Sequence, residues 1–160
     1  MRQDIKERSE KMGKNYNGTQ INQSVSIVEK AGMDIDDARN RVMKYDEDGN
    51  VVPAEAGTDI PLGVAIIETG YNDISGGNSG KVKKGEDIDI QIKDIGYAIA
   101  GADIKKGQEV TAGTGGTVSP ATGGNYVLGI ALCNAGKGAY CRIQIVKYQK
   151  AAASGGTSTD

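Results

Sequence analysis

Histidine, tryptophan and phenylalanine are all absent from this chain of 160 residues. Without histidine it lacks the side chain most used for proton transfer near pH 7, which is also the commonest metal ligand. An enzyme built here would have to work with carboxylates, lysine and serine. The two cysteines, Cys133 and Cys141, are too few for a zinc site of their own, and they give no disulfide framework of the small secreted kind. Seven tyrosines are the only aromatics, so the core must come from Val, Ile, Leu and Ala. Such a chain leans on regular backbone pairing or on a partner. Its apolar runs reach about five residues, against the roughly 18–20 that span a bilayer. No charged-then-apolar start suggests a signal peptide. The expectation is a soluble protein made in a cytoplasm. A net charge of −2 and a pI near 5.3 lack the basic excess of a general nucleic-acid binder.

Glycine is the residue in excess, at 24, and it cuts the chain too often for long helices. Composition divides the sequence into three stretches. Residues 1–23 are polar and read as an arm. Arg2, Lys6, Arg8, Lys11 and Lys14 outnumber Asp4, Glu7 and Glu10 there, and Ile5 and Met12 lie seven apart. So little apolar surface cannot offset the entropy of ordering. Residues 150–160 are small and polar and read as a flexible tail. Between them, residues 24–149 form the folded body.

Inside the body the pattern is β. Short apolar runs at residues 25–28, 51–52, 64–67, 88–92, 97–100, 127–132 and 141–146 are separated by Gly, Asn or Pro, and Ile88-Asp89-Ile90-Gln91-Ile92 alternates. One helical candidate, residues 34–43, competes with a strand over residues 41–45 that enters the Asp48-Gly49 turn.

Three blocks recur in the same order. Asp48–Gly57 lines up with Gly115–Gly124, Leu62-Gly63-Val64-Ala65-Ile66 with Leu128-Gly129-Ile130-Ala131-Leu132, and Lys84-Gly85 followed by Ile90-Gln91-Ile92 with Lys137-Gly138 followed by Ile143-Gln144-Ile145. The body is therefore a pseudo-repeat of about residues 42–95 and 110–148. The first copy carries a longer loop, for which Tyr71 to Gly80 is the obvious insert. The glycine of Leu-Gly-Val/Ile-Ala sits in an apolar strand, as at a bulge or a close chain crossing. Residues 128–133 and 141–146 should pair as a hairpin closed by residues 134–138. Strands at this spacing predict an all-β small barrel or sandwich built from two related motifs.

These blocks also carry a resemblance. From about Val42 to Val146 the chain resembles a family of small phage-encoded proteins that decorate or cement the outside of viral heads. The stretch Gly96-Tyr97-Ala98-Ile99-Ala100-Gly101-Ala102-Asp103-Ile104-Lys105-Lys106-Gly107 is similar as well. The resemblance implies a non-enzymatic virion protein on the outer capsid surface, with no catalytic, cofactor or metal site. It implies binding to the major capsid protein as a homo-oligomer, with a trimer favoured, and no nucleic acid or membrane partner. The arm then becomes the candidate capsid contact. Arg2, Lys6, Arg8, Lys11 and Lys14 would meet acidic patches, and Ile5 and Met12 would fill small pockets. An alternative is a head-fibre base or surface recognition module whose loops bind host-surface glycans, the Tyr71–Gly80 loop above all.

Other fragments look chemical and fail on detail. Residues 75–82 approach a phosphate loop but lack its first Gly, and Val82 stands where Ser or Thr is required. Asp46-Glu47-Asp48 approaches a calcium loop, but Val51 and Gly57 occupy positions that need Gly and Glu. These carboxylates, like Asp34, Asp36 and Asp37, read as solvated turn residues, and Lys81, Lys83, Lys84, Lys105 and Lys106 as lysines beside turns. Cys133 and Cys141 should fall on neighbouring strands as a pair of small buried thiols.

Overall fold

In the computed structural model, which describes residues 24–75 and 77–154, each of the seven short apolar segments overlaps a strand, and there are ten strands in all. They are β1 (Ser26–Lys30), β2 (Val42–Tyr45), β3 (Val51–Pro53), β4 (Gly63–Ala65), β5 (Asp87–Gln91), β6 (Asp94–Ile99), β7 (Glu109–Gly113), β8 (Thr117–Pro120), β9 (Tyr126–Ala131) and β10 (Tyr140–Gln149). Helix among the described residues is limited to one 3-10 turn, Thr114–Gly116. The all-β expectation holds. The arm to residue 23, with the proposed contacts Arg2, Ile5, Lys6, Arg8, Lys11, Met12 and Lys14, lies outside the described residues, as do residues 155–160 of the tail.

The strands form two sheets, both antiparallel throughout. Their orders are β1-β5-β4-β2-β3 and β6-β10-β9-β7-β8. Adding five to each number in the first order gives the second. Each sheet also curls back on itself through one parallel bridge, Ala31 to Val51 in the first and Ala100 to Val118 in the second. Curling covers edges that would otherwise present unpaired backbone.

The repeat starts earlier than the three sequence blocks placed it. Ala31-Gly32-Met33-Asp34-Ile35 matches Ala100-Gly101-Ala102-Asp103-Ile104, and both segments do the same work. The Asp34 carboxylate accepts the Lys84 N–H at 2.8 Å, and the Asp103 carboxylate accepts the Lys137 N–H at 3.2 Å. Ile35 bridges Val82 as Ile104 bridges Ala135. The two modules differ most between their last two strands, where residues 66–86 span what residues 132–139 span in the second copy.

Two apolar clusters hold the modules. One contains Ala31, Met43, Val51, Ala65, Val82, Ile88 and Ile90 and belongs to the first module. The other contains Ala98, Val110, Val118, Leu128, Cys141 and Ile143 of the second module together with Val42, Ala54 and Val64 of the first. Strand alternation explains the division. Met43 and Ala65 face their own core, and their neighbours Val42 and Val64 face the other one. β2 and β4 are therefore buried on both sides, which is why Leu62-Gly63-Val64-Ala65-Ile66 shows no alternation. Each buried Val contributes about 1.5–3 kcal/mol, so the junction is part of the core.

The helical option for residues 34–43 is not realised, and the competing strand is. Asp34 bonds Lys84 instead of capping a helix. Asn40 takes a left-handed backbone, φ 57°, that no helix continues through. β2 then starts at Val42.

Candidate functional site

The seam between the modules gathers most of the unusual polar chemistry. Asn40 stands at its centre. Its N–H donates to the Ala65 carbonyl, its carbonyl accepts the Ile99 N–H, and its side-chain Nδ2 donates to the Tyr97 carbonyl at 3.0 Å. The Tyr97 carbonyl can only accept, so it fixes which way the amide points. The opposite atom, Asn40 Oδ1, is buried with no hydrogen-bond partner.

On the far side of β2 the 3-10 turn docks against the first module. The Gly116 N–H reaches the Ala54 carbonyl at 2.7 Å, the Gly115 N–H reaches Glu55 at 2.9 Å, and Arg41 donates to the Gly115 carbonyl. Gly116 has φ 73°, and a Cβ there would press on Arg41 and the Val42 backbone, so only glycine fits.

Two openings follow the seam. The first, about 370 Å³, is lined by Asn40, Val64, Ala65, Ile66, Ile67, Glu68, Gln91, Tyr97 and Tyr140. Tyr97 and Tyr140 come from β6 and β10, whose register pairs Tyr140 with Ile99 and Arg142 with Tyr97. The two rings are thus diagonal neighbours on one face. Gln91 spends its Nε2 donor on the Lys93 and Ile95 carbonyls, so its Oε1 acceptor is left over. Against this opening lies a smaller one lined by Arg39, Ile67, Glu68 and Tyr71. Arg39 is held there by two bonds of 2.8 Å to Asp37, and this guanidinium holds the Asp37 carboxyl below its ordinary range.

The second main opening, about 640 Å³, runs past Lys44, Tyr45, Ile60, Tyr126, Lys147 and Tyr148. Burial pulls the Lys147 ammonium below its ordinary pKa, and it donates to the Leu62 carbonyl at 2.7 Å. Burial would raise the Asp59 carboxyl, but Lys44 at 2.7 Å and the N–H groups of Glu55 and Ala56 outweigh it and hold it low.

The insert from Tyr71 to Gly80 is pinned at its base, where the Tyr71 N–H donates to the Lys81 carbonyl and the Gly80 N–H to the Tyr71 carbonyl. Ile74 stands fully exposed on it. No helix follows, so the phosphate-loop likeness ends there. The Ser75 N–H is taken by Asp73. Asp46 Oδ1 accepts the N–H groups of Asp48 and Asn50, as in a turn. No group of three or more metal-ligating side chains gathers among the described residues. Lys81, Lys83, Lys84, Lys105 and Lys106 are all exposed. Both cysteines are free thiols. Cys141 is buried and Cys133 half-buried, and the Arg142 N–H donates to the Cys133 sulfur. Burial, with Cys133 beside it, pushes the Cys141 thiol up to about 11.

Sequence reasoning missed the seam. Asn40, Tyr97 and Tyr140 lie in three different strands or turns, and no spacing links them.

Comparison with known proteins adds a likeness at the level of structure. No family model matches the chain, and no curated protein does. Among solved structures it is similar to the head fiber gp8.5 N base of bacteriophage phi29. The TM-score is 0.57 and the identity 26%, over 76% of this chain and 93% of that one. The likeness is to a protein of a phage head, as the sequence resemblance also was. It supports a phage head-associated structural protein and singles out neither decoration nor cementing.

Proposed function

We propose that this chain is a non-enzymatic structural protein of a bacteriophage virion, seated on the outside of the capsid as the base of a head fibre. The likeness to a head-fibre base across 93% of that chain carries the reading. The duplicated, cross-buried body suits a base, because a rigid support transmits load without losing its docking geometry. Its partner is the major capsid protein, met by several copies of the chain together. Each copy then needs only a modest interface, since multivalency supplies the rest.

Decoration of the shell is the second reading, favoured by the resemblance of residues 42–146 to decoration and cement proteins. Bridging of neighbouring capsid subunits would add free energy to the assembled shell alone and stabilise it by mass action. Sedimentation of the full chain with empty phage shells tests both readings. Co-sedimentation at saturating, countable sites is expected. A base that rests on single capsid subunits binds them free as well as assembled and so shifts the shell's melting temperature little, whereas a cement binds only the assembled shell and raises it. A chain that stays in the supernatant at micromolar concentration, with shells of its own phage, would overturn both.

A further inference from the structure

We propose that the 370 Å³ cleft on the module seam is a receptor for a cationic side chain, lysine or arginine, of a partner protein. The inference rests on the capsid-docking reading only for who the partner is. The chemistry of the cleft stands by itself.

The cleft is near the lower end of ligand-site sizes, roughly 300–1,000 Å³, so it suits one side chain and not a folded surface. Its walls, Val64, Ala65, Ile66 and Ile67, are aliphatic, as is the stem of a lysine or arginine. Its polar groups are mostly acceptors. Glu68 brings a carboxylate, Gln91 has only Oε1 left, and Asn40 Oδ1 lies buried beneath with no donor. An unpaired buried acceptor is costly to the fold. Its negative end, set in a low dielectric, attracts a positive charge held above it even without direct contact. Tyr97 and Tyr140, both half-exposed on one face, add ring faces that attract cations. Of the cations on this side, Arg39 is engaged by Asp37, and Arg142, which stands opposite Tyr97 on β10, does not line the cleft. A negatively charged ligand would be repelled by Glu68, and a neutral donor could bond the acceptors but without the added strength of a charged one.

Titration of the full chain with Nα-acetyl-lysine methylamide, followed by NMR, tests this. Saturable shifts confined to Tyr97, Tyr140 and the 64–68 backbone are expected, weakening with salt. Glu68→Gln and Tyr140→Ala both alter exposed side chains. Each should keep the circular dichroism spectrum and weaken the probe about fivefold or more, on the scale of one charge or one cation–π contact. Equal binding of the uncharged norleucine analogue would make the cleft merely apolar and overturn the proposal. So would tighter binding of a neutral hexose, or no saturable shift at all. If the probe binds and shells do not, the capsid-docking reading fails while the cleft stands.

Discussion

Gly63 and Gly129 occupy the same place in the two sheets. Each lies against the carbonyl of a glutamine on the next strand, Gln91 for the first and Gln144 for the second, and against the isoleucine before it. A side chain at either position would enter space that backbone already fills. Gly129→Ala should therefore cost about 1–3 kcal/mol or more, the range for overpacking a tight site. A urea midpoint lowered at unchanged m-value would show it. A neutral result would mean that the strands part easily here.

Val42 belongs to the first module and fills the core of the second. Unfolding should accordingly be a single transition, reported together by tyrosine fluorescence and circular dichroism. Val42→Ala should destabilise both modules at once, by about 2–3 kcal/mol given the usual cavity penalty. Two separated transitions, only one of them shifted, would show that the modules are independent.

Acid should weaken the fold through Asp37 and Asp59. Both folded carboxyls sit below the ordinary value of 3.8. The unfolded chain then binds more protons as pH falls, so their contribution is full above the ordinary carboxylate range and is lost as pH drops through the folded values. Lys44→Met removes the cation that holds Asp59 down. It should lower stability at pH 7 and flatten the loss between about pH 5 and 2, a window set by carboxylate titration. A stability–pH curve parallel to the parent's would exclude Asp59 as the cause.

Thiol chemistry should separate the two cysteines. Burial keeps Cys141 a neutral thiol at pH 7–8, and the thiolate is the reactive form. In the native protein a maleimide should label Cys133 slowly and Cys141 at least tenfold more slowly still, while denaturant should make both react alike. Mass spectrometry of the labelled peptides reads the difference. Fast native labelling of Cys141 would mean that the β9–β10 hairpin opens locally.

Much of the fold was legible because hairpins are local. The pairing of residues 128–133 with residues 141–146 follows from two apolar runs and a short turn, and β9 and β10 form it. The Asp48-Gly49 turn likewise joins β2 to β3. β7, Glu109–Gly113, escaped because Thr, Ala and Gly carry little hydrophobic signal, although its middle residues are buried. The match of Ala31–Ile35 with Ala100–Ile104 was present in the letters and would have extended the repeat to all ten strands. The seam was not legible, because its residues meet only when β4, β6 and β10 converge.

The sequence by itself determined the class of the protein. Few aromatics, frequent glycine, short alternating runs and a twice-used motif leave little room for anything but a β body. Tertiary structure decided how the copies are joined. Strand periodicity states that neighbours face opposite ways, but not what each face meets. Only the packed molecule shows that Val42 and Val64 turn away from their own module into the other's core. That packing brings Asn40 beneath Tyr97 with one acceptor unpaired, because contacts across 57 residues are set by how whole sheets fit together and not by any local preference.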